Sequence, residues 1–239
     1  MFDHGRVTGA ALVDELAAKV RAMEGSAPRG EPLPTLPALA DVVPGGLSRG
    51  AVYEVGGSLG LAVALLAGPS SAGSWCAVVG VGEVGAEAAS ALGVDLSRTI
   101  LVPAPGEHWV HVVGALGDVA ELIVLRPPVP VGDAEAQRVA ARLRRQRSTL
   151  VVLTDGVAGG TVVAWPRAQA RLEVSESVWA GLDGGYGHLR QRTVTVTTTV
   201  RGGRRHRTRL RLDTTVEPVA GRGALRAVDG LRAVDGLAS

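Results

Sequence analysis

The stretch PGGLSRGAVYEVGGSLGLAVALLAG, residues 44–68, decides the fold. It contains a short apolar strand candidate, AVYEV (51–55), and a helical segment, LGLAVALLA (59–67). Glycines between the two permit the tight turn that joins a strand to a helix in α/β proteins. A strand that leads directly into a helix predicts the first unit of a fold with parallel strands and crossover helices.

The same alternation continues toward the carboxyl terminus. Further near-continuous apolar runs are typical of strands buried on both faces of a parallel sheet. We predict these strands at 75–80, 99–103, 121–125 and 149–154, and helices at 84–92, 107–117 and 133–147. The pattern predicts an α/β fold with a mainly parallel central sheet flanked by helices.

After residue 160 the pattern changes to one residue in two. Residues 168–176 and 192–201 alternate, and Gly202-Gly203 then supplies a tight turn into a third alternating run, 205–213. Strands joined by a two-residue glycine turn pair antiparallel. An antiparallel hairpin is therefore predicted at the C-terminal end of the sheet.

Four regions are predicted along the chain. Apolar residues at helical spacing predict an N-terminal helix within residues 1–24, and four prolines predict an extended linker at 25–37. The core domain is predicted to span 38–215. The remaining segment, 216–239, is predicted to be a tail with a short helix or disorder.

Composition excludes several classes of protein. The chain has 239 residues, of which 46% are hydrophobic, and a single cysteine, Cys76, so no intramolecular disulfide can form. It has no apolar run of about 18 residues and no basic-then-apolar leader. We expect a cytoplasmic protein that neither enters a membrane nor holds a structural metal.

Residues 44–68 resemble the RecA recombinase family, in which a Pro-Gly-Gly turn and a strand with a glutamate precede a phosphate loop and its helix. The resemblance continues through WCAVVG (75–80) and residues 91–116, and it resumes in ELIVL (121–125), TLVVLT (149–154) and RLEVSES (171–177). It covers roughly residues 38–215 and implies a RecA-like core.

The phosphate loop itself is degenerate. Such a loop needs glycines whose N–H groups wrap the phosphates, a lysine for their charge, and a Ser or Thr hydroxyl for Mg²⁺. The equivalent stretch here consists of Gly56, Gly57, Ser58, Gly60, Leu61 and Ala62. Leu61 and Ala62 stand where the resemblance places the lysine and the hydroxyl residue.

The other positions that serve ATP chemistry in the family are also substituted. Arg126 stands where the resemblance expects an acidic residue at the end of a strand, and Glu83 is only a displaced candidate for the carboxylate that activates water. Thr154 and Asp155 replace the polar amide that senses the nucleotide. We therefore expect a domain with no cofactor, no catalytic residues and no enzymatic activity.

Within the superfamily, these departures are similar to the ImuA-type proteins, in particular the actinobacterial form that lacks a nucleotide site. The resemblance implies an adaptor in the SOS response to DNA damage that supports mutagenic translesion synthesis. Its partners would be an ImuB-like inactive polymerase homologue and, indirectly, an error-prone replicative-type polymerase and a sliding clamp. An ATP-dependent DNA-binding protein with an atypical site and a SulA-like inhibitor of cell division remain alternatives.

Charge is distributed unevenly behind a net charge of +2. Residues 1–125 contain 6 basic and 13 acidic side chains, whereas residues 126–239 contain 19 and 10. Between Asp183 and Asp213 there are eight arginines and no acidic residue. This basic segment indicates an anionic partner.

Arg205, Arg207, Arg209 and Arg211 alternate, so in a strand they would share one face. Three interpretations remain open: contact with the DNA backbone, contact with an acidic partner protein, and protection of an exposed sheet edge. A second cluster lies at 138–147, where Arg138, Arg142 and Arg145 share a helix face. The candidate DNA-binding or partner-binding residues are Arg201, Arg204, Arg205, Arg207, Arg209, Arg211, Arg142 and Arg145.

A metal half-site is conceivable at Glu107, His108 and His111. No further ligand lies near them in sequence to complete a site, and exposed polar residues on a helix are the simpler interpretation. No metal site is expected.

Overall fold

The parallel half of the sheet is built from the predicted apolar runs. The computed structural model describes residues 31–155, 165–183, 186–213 and 216–219. In it the first five strands are β1 (Val52–Gly56), β2 (Cys76–Val79), β3 (Thr99–Val102), β4 (Leu122–Leu125) and β5 (Thr149–Leu153). All five lie within two residues of the predicted positions, because each is a run of buried apolar side chains.

Helices cover both faces of this half. They are α1 (Leu59–Ser71), α2 (Ala86–Ala91), α3 (Trp109–Leu116) and α4 (Asp133–Gln146), with short 3₁₀ turns at Pro37–Leu39, Leu96–Arg98 and Gly106–His108. Residues of α1 and α2 form one apolar core with one face of the sheet. Residues of α3 and α4 form a second core with the opposite face.

The antiparallel half continues the same sheet. It consists of β6 (Ala170–Asp183), β7 (Tyr186–Val200), β8 (Arg205–Leu212) and β9 (Val216–Pro218). The strand order is β3-β2-β4-β5-β1-β6-β7-β8-β9. Strand β6 runs parallel to β1, and β7, β8 and β9 alternate in direction after it. The predicted α/β class, with a mainly parallel sheet and an antiparallel C-terminal hairpin, is confirmed.

Two strands and one helix are longer than the sequence pattern predicted. Strands β6 and β7 extend into a two-stranded arm, in which residues 175–180 are exposed. Where both faces of a strand are exposed, the sequence has no alternation of apolar and polar residues. The predicted strands therefore ended before the arm. Helix α1 continues four residues past its predicted end and contains Pro69 in its last turn.

The described part of the proline-rich segment lies against the core. Leu33 is buried, and its backbone N–H donates to the carbonyl of Leu47 at 2.8 Å. The predicted N-terminal helix and the tail beyond residue 219 lie outside the described residues.

Across the described ranges, the helices are all too short or too polar to cross a membrane.

Candidate functional site

The loops that would form a nucleotide site meet at one edge of the sheet. Strands β4, β5 and β1 are parallel neighbours, so their carboxyl ends lie side by side. These ends lead into Arg126, Thr154 and the glycine turn at Gly56. In open α/β sheets, ligands bind at this edge. The tertiary structure thus brings together the substituted positions that the sequence singled out.

A carboxylate of the chain itself occupies the glycine turn. The backbone N–H of Gly57 donates to Oδ2 of Asp155, which follows β5. Ser58 caps α1, and its Oγ accepts a hydrogen bond from the N–H of Leu61 at 3.2 Å. In a phosphate loop these N–H groups would face the ligand. Here both have internal acceptors.

The side chains that replace the lysine and the hydroxyl residue are part of the core. Leu61 and Ala62 are both 0% exposed and belong to the apolar cluster on the α1 face. Neither could reach a bound phosphate or a metal ion. The donor set required for Mg-ATP is therefore absent at these positions, and the residues do not fit the ligand.

The turn leaves no space on its β6 side. Gly57 has a φ of +76°, and a Cβ at this position would lie 2.7 Å from the carbonyl oxygen of Val174. Only glycine adopts this conformation with so close a backbone neighbour. The glycine is therefore explained by packing against β6 without reference to a phosphate.

Arg126 and Glu83 form an ion pair. The Nη1 of Arg126 donates to Oε1 of Glu83, and this hydrogen bond holds the pKa of the Glu83 carboxyl below its ordinary range. The Arg126 side chain is 17% exposed, so the pair lies partly within the surface. The arginine that stands at the expected acidic position and the displaced carboxylate candidate thus neutralise each other.

The sensor position is closed as well. The hydroxyl of Thr154 donates to the carbonyl of Val55 at 3.3 Å. Beside it, Pro127, Val131 and Trp165 line a cavity of only about 10 Å³. A cavity needs roughly 10–15 Å³ to hold one water molecule. This cavity is too small for a nucleotide base or sugar.

A buried ion pair next to the edge was missed by sequence reasoning. Glu54 on β1 is 2% exposed, and its Oε2 accepts a hydrogen bond of 2.6 Å from Nε of Arg171 on β6. Its other oxygen accepts from the backbone N–H of Trp165. The bond to Glu54 raises the pKa of the Arg171 guanidinium. The polar residue inside an apolar strand was the available signal, although it did not identify the partner 117 positions away.

Sequence reasoning also missed Arg192 on β7. Its Nη1 would lie 3.9 Å from a Cβ on Gly60, in the first turn of α1. Its Nε donates to Ser177 at 2.9 Å, and the guanidinium lies 5.4 Å from the ring centroid of Trp179. Burial lowers the pKa of this guanidinium. A cation from the antiparallel half therefore lies beside the glycine turn.

The candidate arginines of strand β8 lie on one face of the sheet. Leu210 and Leu212 of β8 are buried in the core, and the odd-numbered residues of the strand point to the opposite side. The exposed arginines are Arg201, Arg204, Arg205, Arg207 and Arg209, and Arg211 is half-buried. The arginines at odd positions of β8 share one face, as their spacing predicted.

The second candidate group lies apart from the hairpin. On α4, Arg145 is exposed, and Arg142 forms an ion pair with Asp118 at 3.6 Å. Helix α4 packs on β5, which is four strand spacings from β8, or about 19 Å. The two groups therefore form two surfaces.

Glu107, His108 and His111 border a groove of about 380 Å³ between α3 and α4. Within the described part of the chain, no three His, Cys, Asp or Glu residues are placed to hold a metal ion.

Comparison with known proteins places the chain in a family. Residues 41–166, from the segment before β1 to the segment before β6, match the family described as the MT3502 N-terminal domain. The chain is also similar to the "Uncharacterized protein Rv3395c" of Mycobacterium tuberculosis, with 38% identity over 120 residues. That alignment covers 48% of this chain and 58% of the relative's length. Because the matched segment is more than half of the sequence, the chain belongs to the MT3502 N-terminal domain family.

Proposed function

We propose that this protein is a non-enzymatic adaptor with a RecA-like core that works without a nucleotide in mutagenic translesion DNA synthesis. The observation that carries the proposal is the internal closure of the nucleotide edge. The Asp155 carboxylate accepts a hydrogen bond from the Gly57 amide, Arg126 forms an ion pair with Glu83, and Leu61 is buried in the core. These three residues have internal partners at the positions where the resemblance places groups that serve ATP.

Closure of this edge favours a scaffold over a switch. RecA-type proteins change their contacts when nucleotide binds or is hydrolysed, and that change requires a site that responds to phosphate. Here side chains of the chain itself join the loop after β1 to the loop after β5, and the loop after β2 to the loop after β4. A rigid edge of this kind suits a protein that holds partners together in one arrangement.

The proposed setting comes from the resemblance to ImuA-type proteins. The direct partner would be an ImuB-like inactive polymerase homologue, and through it an error-prone replicative-type polymerase and a sliding clamp. In this proposal the chain contributes surfaces, and its partners contribute the polymerase chemistry.

Titration calorimetry of the full chain with Mg-ATP tests the nucleotide part of the proposal. We expect no binding at micromolar nucleotide. Binding of Mg-ATP at micromolar concentration would overturn the proposal. Loss of that binding in Arg192→Gln would place the nucleotide beside Gly60, where Arg192 is the cation that an atypical ATP site would use.

Co-purification with an ImuB-like partner tests the adaptor part. The partner should be retained to the same extent with no nucleotide, with Mg-ADP and with Mg-ATP. Failure to retain it, or retention in only one nucleotide state, would contradict the adaptor role.

A further inference from the structure

The arginines of the β7–β8 hairpin fall into two classes that the sequence could not separate. Arg207 pairs with Glu176 at 2.7 Å, and Arg211 pairs with Glu217 at 2.8 Å. Within the described residues, no carboxylate forms an ion pair with the four other exposed or turn arginines. We call these four the free-arginine surface: Arg201, Arg204, Arg205 and Arg209.

The acidic side chains close to this surface are already engaged. Oε1 of Glu176 accepts from Arg207, and its Oε2 accepts from the hydroxyl of Thr195 at 2.9 Å. Arg209 on β8 lies opposite Thr195 on β7, and Thr195 lies opposite Glu176 on β6, so one strand separates Arg209 from Glu176. At the other end, Arg205 is in register with Thr199 and Arg171, and the carboxylate in that row, Glu54, is bound to Arg171. The positive charge of Arg205 is thus left for an external anion. Arg209 lies within electrostatic range of Glu176, but the Thr195 hydroxyl and Arg207 lower the pKa of that carboxyl more than Arg209 does, so the charge of Arg209 is only partly offset.

The backbone that holds these arginines is well anchored. The N–H of Val200 donates to the carbonyl of Arg204 at 2.9 Å and closes the turn around Gly202 and Gly203. The N–H of Arg201 donates to the carbonyl of Gln169 at 2.8 Å, which ties the turn to the segment before β6. Charges on a fixed strand and turn lose little backbone freedom when a ligand binds.

The chemistry of the face favours a polyanion over a folded protein. Beside the arginines, β7 presents the half-buried Thr197 and Thr199, whose hydroxyls can donate to phosphate oxygens. One exposed apolar side chain, Val178, lies in register with Thr193 and Arg211, but a single valine is small for the buried centre of a protein–protein interface. Arginine and threonine together match the groups that contact nucleic-acid backbones.

We propose that the free-arginine surface binds the phosphate backbone of nucleic acid, without sequence preference. This inference deepens the proposed function by naming where the adaptor meets DNA. It rests on that function only for the choice of DNA as ligand. Its test uses neither nucleotide nor a polymerase partner, so either proposal can fail without the other.

The experiment is a fluorescence anisotropy titration of the full chain with a labelled mixed-sequence DNA duplex over a range of salt concentrations. With four phosphate contacts, affinity should fall about 100-fold between 50 and 200 mM salt. The test variant is Arg204→Gln/Arg205→Gln/Arg209→Gln. It should reduce the slope of log K against log salt by about 2 to 3, since each contact contributes about 0.9.

The matched control is Arg98→Gln/Arg144→Gln/Arg147→Gln, which removes the same charge from exposed positions that are not candidate binding residues and lie away from the hairpin. The control should keep the salt slope. Equal loss in both triple variants would overturn the proposal, because the binding would then reflect total charge. Thermal melting of each variant confirms that the fold is retained.

A labelled polyglutamate peptide separates nucleic acid from an acidic protein. We expect weak binding of this peptide, unaffected by the three hairpin substitutions. If the peptide binds as tightly as DNA and loses affinity in the hairpin variant, the surface serves an acidic protein segment and the proposal is wrong. Absence of DNA binding at 50 mM salt would overturn it too.

Discussion

The guanidinium of Arg126, in the loop after β4, forms an ion pair with the carboxylate of Glu83, in the loop after β2. The two strands are parallel neighbours, so their following loops meet at the carboxyl edge of the sheet. An arginine at the end of β4 would repel a metal ion, and its pairing with Glu83 occupies the nearby acid. This ion pair therefore leaves neither an acidic residue after β4 for a metal ion nor a free carboxylate at Glu83 to activate water.

Removing this arginine should release Glu83. In the native protein the hydrogen bond from Arg126 lowers the pKa of the Glu83 carboxyl. We expect Arg126→Gln to return that pKa to the ordinary range for glutamate. Carboxyl-carbon NMR titration measures the pKa, and Glu83→Gln assigns the signal.

The pH dependence of stability follows from the direction of this shift. Because the folded-state pKa is lowered, the pair stabilises the protein at pH values above the ordinary glutamate range. That stability is lost as pH falls through the lowered pKa. An unchanged Glu83 pKa in Arg126→Gln would show that the ion pair does not form in solution.

The buried pair of Glu54 and Arg171 should respond unequally to removal of its two members. Arg171→Leu leaves a carboxylate whose side chain is only 3% exposed without its cation, and we expect a loss of about 3–5 kcal/mol in unfolding free energy. Glu54→Gln leaves Arg171, which is 36% exposed and can be hydrated, so about 1–2 kcal/mol is expected. Urea denaturation measures both.

Glu217→Gln is the control for this pair, since it breaks the exposed contact with Arg211 and should change stability by less than about 1 kcal/mol. A larger loss in Glu54→Gln than in Arg171→Leu would contradict the assignment of the carboxylate as the buried member.

Gly57→Ala should destabilise the fold without any ligand present. Its φ of +76° and the approach of a Cβ to the Val174 carbonyl both oppose a side chain. We expect a loss of about 2 kcal/mol or more, since the left-handed conformation alone costs about 1–2 kcal/mol. Gly82→Ala is the matched control, because a Cβ there meets no atom within 4 Å. A similar thermal shift in both variants would exclude packing as the reason for Gly57.

Placing a lysine at position 61, where RecA-type phosphate loops have one, should harm the protein without creating nucleotide binding. Leu61 is 0% exposed, so Leu61→Lys places a charge in the apolar core and should cost about 3 kcal/mol or more. Leu61→Met is the control and should cost about 1 kcal/mol. Denaturation and Mg-ATP calorimetry measure the two effects. A stable, nucleotide-binding Leu61→Lys protein would contradict the closed edge.

The thiol of Cys76 should be inert in the folded protein. Burial, with a smaller effect from Glu121, raises its pKa to about 12, and the residue is 0% exposed. Since the thiolate is the reactive species, Ellman's reagent at pH 8 should label Cys76 only after denaturation in urea. Rapid labelling of the native protein would mean that β2 opens locally.

The sequence by itself determined the sheet class and strands β1 to β5, because these depend on local periodicity, whereas it did not predict β9 or the full lengths of β6 and β7. Apolar runs such as those of β2 and β4 are recognisable without knowing their neighbours, and the glycine turn at 202–203 identified the hairpin. The alternation in β8 also placed its arginines on one face. Even the substitutions at Leu61 and Arg126 were visible as departures from a family pattern.

Only the tertiary structure decided what those residues do. Gly57 and Asp155 are separated by 98 positions, and Glu54 and Arg171 by 117, so no local pattern could pair them. The same holds for the division of the hairpin arginines, because the pairing of Arg207 with Glu176 depends on the register of three strands. Charge can be counted in a sequence, but whether it is neutralised depends on which strands become neighbours in the folded sheet.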